Sequence, residues 1–239
     1  MKYSIIVPTF SNRVFLQQAI KAVIANTNDY ELVIVDNHSE DDTLDYLRSS
    51  ALDNINGQLV VNKENKGFGI ACNQGAKVAK GDWLIFLNND TLVTQDWADN
   101  MYKCKLEEAD CGIVGSKLIH PGSGTIQHAG VVELSNGTLD HIYFGKQSDY
   151  KLANKRKSYF AVTGACLGIS KSLFEEVGGF DERYYCGWED IALCNIVKQK
   201  GYKIYYEPTS EVYHYESRTD GRYSAENNNF NLYIKDWVL

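Results

Sequence analysis

The chain has 239 residues and a formal net charge of −7, with 24 Lys and Arg against 31 Asp and Glu. Nucleic-acid binding depends on clustered basic side chains, so this acidic balance argues against a nucleic-acid surface. The six cysteines form no C-x-x-C pair and no Cys/His ligand spacing, which predicts reduced thiols rather than a zinc or dithiol site.

The amino terminus enters an apolar strand pattern directly, and no apolar run approaches the length of a membrane span. We therefore predict one cytoplasmic α/β domain over residues 1–239.

The first elements form a strand–helix–strand unit. Residues 3–7 and 31–35 are apolar strand patterns, and apolar residues at helical spacing predict a helix over 12–26 between them. Two such strands are parallel, so Pro8-Thr9 and Asp36-Asn37 are expected at the same edge of the sheet, where open α/β sheets bind ligands.

Polar residues predict the next boundaries. Ser11 is expected to cap the first helix, and Ser39 with Asp42 resembles a capping box for a short second helix. A third strand at 58–61 precedes Gly67 and Gly69 and a helix over 70–80. These glycines either let backbone amides approach a ligand or simply turn the chain. They do not form a dinucleotide fingerprint.

Residues 83–87 form an apolar run that predicts a strand covered on both faces. The run ends in Asn88-Asn89-Asp90, at the position where a ligand would be met. Asp90 offers a hard oxygen to Mg²⁺ or Mn²⁺, whose shell substrate phosphates could complete. The alternative is that Asn89 or Asp90 only caps the following helix, predicted over 95–109.

A strand at 112–119 leads into residues 120–160, the least periodic part of the chain. We interpret this part as a hairpin-containing excursion, with 127–132 strand-like and 145–158 a mobile basic loop. Residues 159–169 are strand-like, and Ser172 with Glu175 is expected to open a short helix that stops at Gly178-Gly179.

Glu189 and Asp190 are predicted in the first turn of a helix that ends near Gly201. Acids are common there because of the helix dipole alone. Trp188 immediately before them favours a binding role, since an aromatic face beside a carboxylate suits a sugar ring.

Residues 203–206 predict a last strand, ended by Glu207-Pro208. His214 follows and is either structural or, if the strand order brings it over Asp90, a metal ligand. Arg218 and Arg222 lie in a Gly/Ser/Asn-rich segment and are candidates for a loop that closes on a diphosphate.

Eight short motifs together resemble a family 2 glycosyltransferase of GT-A fold, on its rhamnosyltransferase-like branch. The resemblance covers nearly the whole chain, and its motifs keep the family's order. They are Val7-Pro8-Thr9, Val35-Asp36-Asn37-x-Ser39, Asn65-x-Gly67-Phe68, Asn88-Asn89-Asp90, Thr163-Gly164-Ala165, Gly178-Gly179-Phe180-Asp181, Trp188-Glu189-Asp190 and His214.

The resemblance implies a GT-A architecture: a Rossmann-like mixed central sheet flanked by helices, with a small secondary sheet. Residues 1–119 would form the nucleotide-binding half and 120–239 the acceptor and catalytic half. It also implies a nucleoside-diphosphate sugar donor, of UDP-hexose or dTDP-rhamnose type, a divalent cation (Mn²⁺ or Mg²⁺) and inversion at the anomeric carbon. The acceptor would be a hydroxyl of a glycan or a lipid-linked glycan, chosen in part by the excursion at 120–160.

The resemblance also assigns roles to residues. Asp190 would be the general base with Glu189 beside it, and Asp90 and His214 would bind the metal. The remaining residues would contact the ligands: Pro8, Thr9 and Asp36 the base and ribose, Asn65 and Gly67 the nucleotide pocket, Asn88 and Asn89 the ribose or donor hydroxyls, and Gly164, Ala165 and Trp188 the sugar or acceptor. The departure from the family is Asn88, which replaces the first acid of its Asp-x-Asp metal motif.

Other functions account for the motifs less well. A sugar nucleotidyltransferase would need a Gly-rich, basic first loop, and an NAD-dependent oxidoreductase a glycine fingerprint after the first strand. Glycosidases use two carboxylates that flank the bond, whereas Glu189 and Asp190 point about 100° apart on a helix. A non-catalytic sugar-nucleotide-binding domain remains the alternative that Asn88-Asn89 favours and Trp188-Glu189-Asp190 opposes. The protein could also be a domain of a larger glycosyltransferase or a homo-oligomer, with at most peripheral membrane association.

Overall fold

The computed structural model describes residues 2–49, 56–216 and 226–239. Its helices are α1 (Arg13–Asn26), α2 (Thr43–Ser49), α3 (Phe68–Val78), α4 (Trp97–Glu107), α5 (Lys171–Glu176), α6 (Glu189–Gln199) and α7 (Glu226–Trp237). Its strands are β1 (Tyr3–Thr9), β2 (Tyr30–Asp36), β3 (Gly57–Val61), β4 (Trp83–Leu87), β5 (Thr91–Val93), β6 (Cys111–Ile119), β7 (Ile126–His128), β8 (Val131–Glu133), β9 (Leu139–His141), β10 (Lys157–Tyr159), β11 (Cys166–Ser170) and β12 (Lys203–His214).

The central sheet has the order β10-β12-β6-β11-β4-β1-β2-β3, while β8 and β9 form a separate two-stranded sheet. Strands β3, β2, β1 and β4 are parallel, and β11 runs antiparallel to both β4 and β6. Strand β12 is parallel to β6. The carboxyl ends of β1, β2, β4, β6 and β12 and the amino end of β11 therefore meet at one edge. This is the mixed central sheet with a small secondary sheet that we predicted.

Apolar side chains cover both faces of the sheet, which explains the unbroken apolar runs in its strands. Along β4, Leu84 and Phe86 pack into a core with α3, α5, α6 and α7. Trp83, Ile85 and Leu87 point to the other face, which is covered by α1, α2 and α4. Alternation along one strand thus feeds two separate cores.

The last strand is longer than we predicted. Glu207 and Pro208 do not end β12, which continues to His214 with a register shift between Glu207 and Glu211 along β6. The proline lies in this irregularity, where a missing N–H does not interrupt the ladder. The unpredicted strand β5 pairs with the far end of β12, matching His214 with Thr91. The continuation carries His214 to the edge where β4 ends.

Several predicted boundaries were also wrong. Ser11 and Ser39 do not cap helices. Instead, each serine forms a hydrogen bond with the other's loop. Ser39 Oγ accepts from Ser11 N–H at 2.8 Å, and Ser11 Oγ accepts from Glu40 N–H. Helix α5 is capped by Ser170, whose Oγ accepts from Leu173 N–H. The segment predicted as one strand over 159–169 is two strands, β10 and β11, separated by a turn.

The segment at 145–158 is anchored rather than a mobile loop. The buried ammonium of Lys117 donates to Ser148 O and Asn154 Oδ1 and pairs with Glu211 at 2.7 Å. Arg156 adds a 2.6 Å contact to the buried carboxylate of Glu207. Charged side chains thus fasten an aperiodic segment that apolar periodicity could not describe.

None of the helices in the described ranges is long and apolar enough to cross a membrane.

Candidate active site

A cavity of about 510 Å³ opens at the edge where the strand ends meet. Twelve of the residues singled out from the sequence line it: Pro8, Thr9, Asn65, Gly67, Asn88, Asn89, Asp90, Gly164, Ala165, Glu189, Asp190 and His214. Asp36 and Trp188 are not among the lining residues. Arg218 and Arg222 lie outside the described residues.

Asn37 ties together the loops on the β1–β2 side of the cavity. Its backbone N–H donates to Thr9 O, and its side-chain Nδ2 donates to Asn65 Oδ1 at 2.8 Å and to Gly67 O at 3.1 Å. Asn65 Oδ1 in turn accepts from Gly67 N–H at 3.0 Å. These hydrogen bonds fix the Asn65–Gly67 turn, whose two end residues the resemblance had assigned to the nucleotide pocket.

Gly67 must be glycine because of what it touches. It has a φ of +86°, and a Cβ built there would lie 2.2 Å from Tyr185 O. The next residue, Phe68, donates its N–H to the same carbonyl at 2.9 Å. The glycine therefore permits a close contact between the loop after β3 and the segment just before α6.

Asp36 lies behind the cavity lining and is fully buried. Its Oδ2 accepts from Ser39 N–H at 3.4 Å, whereas Oδ1 has no hydrogen-bond partner within the described part of the chain. An unpartnered buried carboxylate oxygen has a free-energy cost that a donor group on a ligand would remove.

The triplet after β4 is held by three different neighbours. Asn88 N–H donates to Ala165 O at 3.0 Å, and Asn89 Nδ2 donates to Thr9 Oγ1 at 2.8 Å. Asp90 O accepts from Tyr215 N–H at 3.0 Å. The triplet thus joins the ends of β1, β11 and β12, and none of its residues caps α4, which begins after Asp96.

His214 lies directly against Asp90, as the strand order required for a ligand role. Its Nε2 is 3.1 Å from Asp90 Oδ1 and 3.2 Å from Asn88 Nδ2. On the other side of the ring, Nδ1 is 2.7 Å from Gln127 Oε1. Gln127 Nε2 donates to Glu216 at 2.9 Å, which orients the amide so that Oε1 accepts from His214 Nδ1–H. In the neutral ring, Nε2 then carries the lone pair.

This arrangement fits a divalent cation. With the proton on Nδ1, Nε2 and Asp90 Oδ1 are two acceptors 3.1 Å apart, and a shared cation would satisfy both. Across residues 2–49, 56–216 and 226–239, no group of three or more His, Cys, Asp and Glu residues could hold a metal by itself. Oxygens of a bound phosphate would have to complete the shell, as they commonly do for Mg²⁺.

Asp190 lies across the cavity, in the first turn of α6. Its Oδ2 accepts from Gly164 N–H at 2.8 Å, and its Oδ1 accepts from Ile191 N–H at 2.8 Å. Two backbone donors therefore fix the carboxylate in one orientation. Glu189 also lines the cavity, but it is almost completely buried.

Trp188 has a packing role in this structure. Its backbone is left-handed, with φ +74°, and its ring packs on Phe230 and Tyr233 of α7 at centroid distances of 5.1 and 4.9 Å. The aromatic ring predicted to face a sugar is thus directed at a helix. Tyr185 and Phe144 are the exposed aromatic residues at the cavity.

The excursion at 120–160 was expected to help choose the acceptor, but the sequence did not indicate which of its residues reach the cavity. Gln127, His128, His141 and Phe144 all line the cavity. His128 Nδ1 and His141 Nδ1 are 2.8 Å apart, and burial lowers the pKa of His128 well below its ordinary value. Two adjacent polar residues, Gln127-His128, inside an apolar run were the one signal that could have marked this segment.

Solved structures confirm the architecture. A crystal structure of GalNAc-T7 with UDP, GalNAc and Mn²⁺ superposes with a TM-score of 0.75 at 19% identity, covering 89% of this chain and 43% of that one. The mixed sheet with its polar cleft at the carboxyl edge is the GT-A fold.

The profile named Glycosyl transferase family 2 matches residues 4–178. Because the match covers well over half of the chain, the protein belongs to glycosyl transferase family 2. This is the family that its eight motifs resemble.

Two curated relatives illustrate the range of the family. The chain is 29% identical to the O-antigen biosynthesis protein RfbC of Myxococcus xanthus over 90% of its own length and 17% of the relative's. It is 26% identical to the GalNAc(5)-diNAcBac-PP-undecaprenol beta-1,3-glucosyltransferase of Campylobacter jejuni over 85% of its length and 62% of the relative's. The chain thus spans less than two thirds of either relative.

Proposed function

We propose that the protein is an inverting glycosyltransferase that moves a sugar from a nucleoside-diphosphate sugar to an acceptor hydroxyl of a glycan or glycolipid. A UDP-hexose is the first candidate donor and dTDP-rhamnose the second. One observation carries the proposal: a carboxylate held by two backbone amides, Asp190, lines the same cavity as the Asp90–His214 pair.

The β1–β2 side of the cavity would bind the nucleoside. This side is lined by Pro8, Thr9, Asn65 and Gly67. Hydrogen bonds from Asn37 hold Thr9, Asn65 and Gly67 in place. Asp36 Oδ1, which has no hydrogen-bond partner among the described residues, would accept from a donor on the base or ribose. Asn88 and Asn89 would orient ribose or sugar hydroxyls.

Asp90 and His214 would hold a divalent cation, Mn²⁺ or Mg²⁺, against the diphosphate. When bound, the cation would neutralise charge that develops on the departing nucleoside diphosphate. Gln127 would keep His214 Nε2 free of a proton, as a metal ligand requires. Arg218 and Arg222 stay candidates for diphosphate contacts.

Asp190 would act as the general base. As the acceptor oxygen attacks the anomeric carbon, its proton passes to a carboxylate oxygen of Asp190, and the bond from the anomeric carbon to the phosphate oxygen breaks. Attack on the face opposite the leaving diphosphate inverts the anomeric configuration. Glu189, with its side chain buried, would support the neighbouring turn rather than exchange a proton.

The proposed setting is the cytoplasmic face of a membrane, with peripheral association at most. The Campylobacter relative is named for an undecaprenol-linked substrate, which supports a lipid-linked glycan as acceptor. The chain covers only part of the length of its relatives, which supports a role as one domain of a larger glycosyltransferase. A homo-oligomer of this domain is the alternative assembly.

The donor can be found with a thermal-shift screen of UDP-, GDP-, dTDP- and CMP-sugars with and without Mn²⁺, because a ligand that binds the folded state raises its apparent stability. We expect one nucleotide class to stabilise the protein, and only with the metal. The released sugar, followed by proton NMR as the donor is slowly hydrolysed, should show the inverted anomer first. If a nucleotide-sugar binds but is not turned over, the result would favour the non-catalytic sugar-nucleotide-binding domain. If turnover requires pyrophosphate, the result would favour a nucleotidyltransferase.

A further inference from the structure

We propose that His128 and His141 form a hydrogen-bond relay that presents the Nε2–H of His141 as a donor to a hydroxyl of the acceptor sugar. This inference rests on the proposed function, and it assigns the acceptor side of the same cavity. The binding group would be His141, with His128 as a positioning residue behind it and Phe144 as an apolar surface beside it.

The relay starts at the main chain. Thr163 N–H donates to His128 Nε2 at 3.4 Å. His128 is 1% exposed, and burial keeps it neutral at pH 7, so it carries one ring proton. Because Nε2 accepts a hydrogen bond, that proton must lie on Nδ1.

The second step follows from the contact between the two rings. His128 Nδ1 and His141 Nδ1 are 2.8 Å apart, and the rings meet edge to face at 76°. With the proton on His128 Nδ1, His141 Nδ1 is the acceptor. An imidazole that accepts at Nδ1 carries its ring proton on Nε2. His141 is an exposed residue in the cavity lining.

The relay is attached to the base through one short segment. Thr163 contacts His128, and the next residue, Gly164, donates to Asp190 at 2.8 Å. A hydroxyl that is deprotonated by Asp190 therefore belongs to a molecule bound within reach of this segment. The relay comes from the 120–145 excursion, whereas the nucleoside wall comes from the ends of β1 to β3, so we assign the histidines to the acceptor.

The chemistry around His141 suits a sugar ring. Phe144 lies three residues further on, lines the cavity and is 60% exposed, which leaves an aromatic surface for the apolar face of a pyranose. Sugar hydroxyls at the rim of such a ring accept hydrogen bonds from a fixed donor. A donor with a set tautomer would select one hydroxyl position.

The tautomers themselves can be measured. Long-range ¹H–¹⁵N correlation spectra of the full chain at pH 8 distinguish Nδ1–H from Nε2–H imidazoles, and five histidines make assignment by substitution practical. We expect Nδ1–H for His128 and Nε2–H for His141, and His128→Gln should make His141 a mixture of tautomers. Nδ1–H at His141 in the unsubstituted protein would overturn the relay.

Binding to the acceptor side is tested with p-nitrophenyl glycosides of glucose, galactose, N-acetylglucosamine, N-acetylgalactosamine and rhamnose, measured by saturation-transfer NMR on protein loaded with donor nucleotide and Mn²⁺. His141→Asn keeps an acceptor for His128 but removes the Nε2–H, and should weaken the best glycoside about tenfold, the size of one hydrogen bond. His141→Gln places an N–H near the original Nε2 and should recover most of this loss. The exposed His38→Asn, outside the cavity lining, is the matched control and should change nothing.

The outcomes separate this inference from the proposed function. Two outcomes would overturn the relay while the glycosyltransferase proposal stands, provided that nucleotide-sugars bind and turn over. One is that no glycoside binds. The other is that His141→Asn, His141→Gln and His38→Asn all bind the glycoside as well as the unsubstituted protein does. A change in nucleotide-sugar affinity in His141→Asn, with glycoside affinity unchanged, would place His141 at the donor instead. Absence of nucleotide binding in the unsubstituted protein would remove the basis of both.

Discussion

The two halves of the molecule build their sides of the cavity differently. In the half made of β1 to β4, polar residues follow directly after parallel strands, and Asn37, Asn65 and Asn89 bond to neighbouring strand ends and loops. In the half that follows, functional groups come from a helix start, a bulged strand and a hairpin. The backbone at Thr163 and Gly164 connects His128 to Asp190. The comparison teaches that position along a strand locates the first kind of group, whereas only chain topology locates the second.

The largest expected effect is at Asp190, the proposed general base in the second half. Asp190→Asn should lower donor turnover by about 10²–10⁴-fold, the usual contribution of a positioned base, while nucleotide affinity stays nearly unchanged. The rate of nucleoside diphosphate release measures this. Asp45→Asn, an exposed substitution on α2, makes the same chemical change away from the cavity and should be neutral. Full turnover by Asp190→Asn would remove Asp190 as the base.

The contact between the halves is tested at Gly67. Gly67→Ala places a methyl group 2.2 Å from Tyr185 O at a φ of +86°. The free energy of unfolding should fall by about 1–2 kcal/mol because of the left-handed backbone. It should fall by about 1–3 kcal/mol more because of the steric overlap. Gly137→Ala has a φ of +80° with nothing within 4 Å, and should cost the backbone part alone. Urea unfolding of both variants gives the difference, and equal losses would mean that the Tyr185 contact carries no weight.

Metal affinity tests the proposed cation site, where Asp90 of the first half lies 3.1 Å from His214 of the second. His214→Ala should weaken Mn²⁺ binding in the presence of the nucleotide by more than about tenfold, and Gln127→Ala by about tenfold, because Gln127 sets the ring tautomer. Free Mn²⁺ counted by electron paramagnetic resonance reports both values. The exposed His38→Ala serves as the control, and an unaltered titration in His214→Ala would argue against a ligand role.

The smallest effect on activity is expected at Glu31, a buried carboxylate of the first half that contributes to stability. Burial acts to raise the pKa of Glu31, but hydrogen bonds from Ser4, the Lys80 and Gly81 amides and Gln58 outweigh it and leave the pKa lowered. Its stabilisation is therefore present above the unfolded pKa of about 4.3 and is lost as pH falls through the folded value.

Glu31→Gln should accordingly reduce the free energy of unfolding by about 1–3 kcal/mol at pH 7, and the gap to the unsubstituted protein should narrow below about pH 4. Denaturant unfolding between pH 3 and 7 measures the gap. The exposed Glu64→Gln should show neither effect. A gap that is constant with pH would mean that the ionised form of Glu31 is not what stabilises the fold.

Much of the first half was predictable because its elements have strong periodicity. The strands at 3–7, 31–35, 58–61 and 83–87 and the helix at 12–26 were all found, with small errors at their ends. The convergence of Asp90, Asp190 and His214 on one cavity also agrees with the resemblance of the motifs.

The rest depended on contacts between distant parts of the chain. Pro8 and Pro208 both follow apolar runs and both lie within their strands. However, β1 ends at Thr9, whereas the irregularity at Pro208 lets β12 continue to His214. Trp188 has the residue type of a sugar platform, but α7 offers its ring a packing partner. His128 and His141 are thirteen positions apart, and only the β8–β9 hairpin brings them to 2.8 Å.

In the proposed mechanism, both halves act on one metal-bound diphosphate. Anomalous diffraction at the manganese edge tests it, using crystals grown with Mn²⁺ and the nucleoside diphosphate that stabilises the protein best. We predict one strong peak in bonding contact with Asp90 Oδ1, His214 Nε2 and the diphosphate oxygens, in the cavity that Asp190 lines. A nucleotide bound there with manganese absent from Asp90 and His214, or a peak at a separate surface, would contradict it.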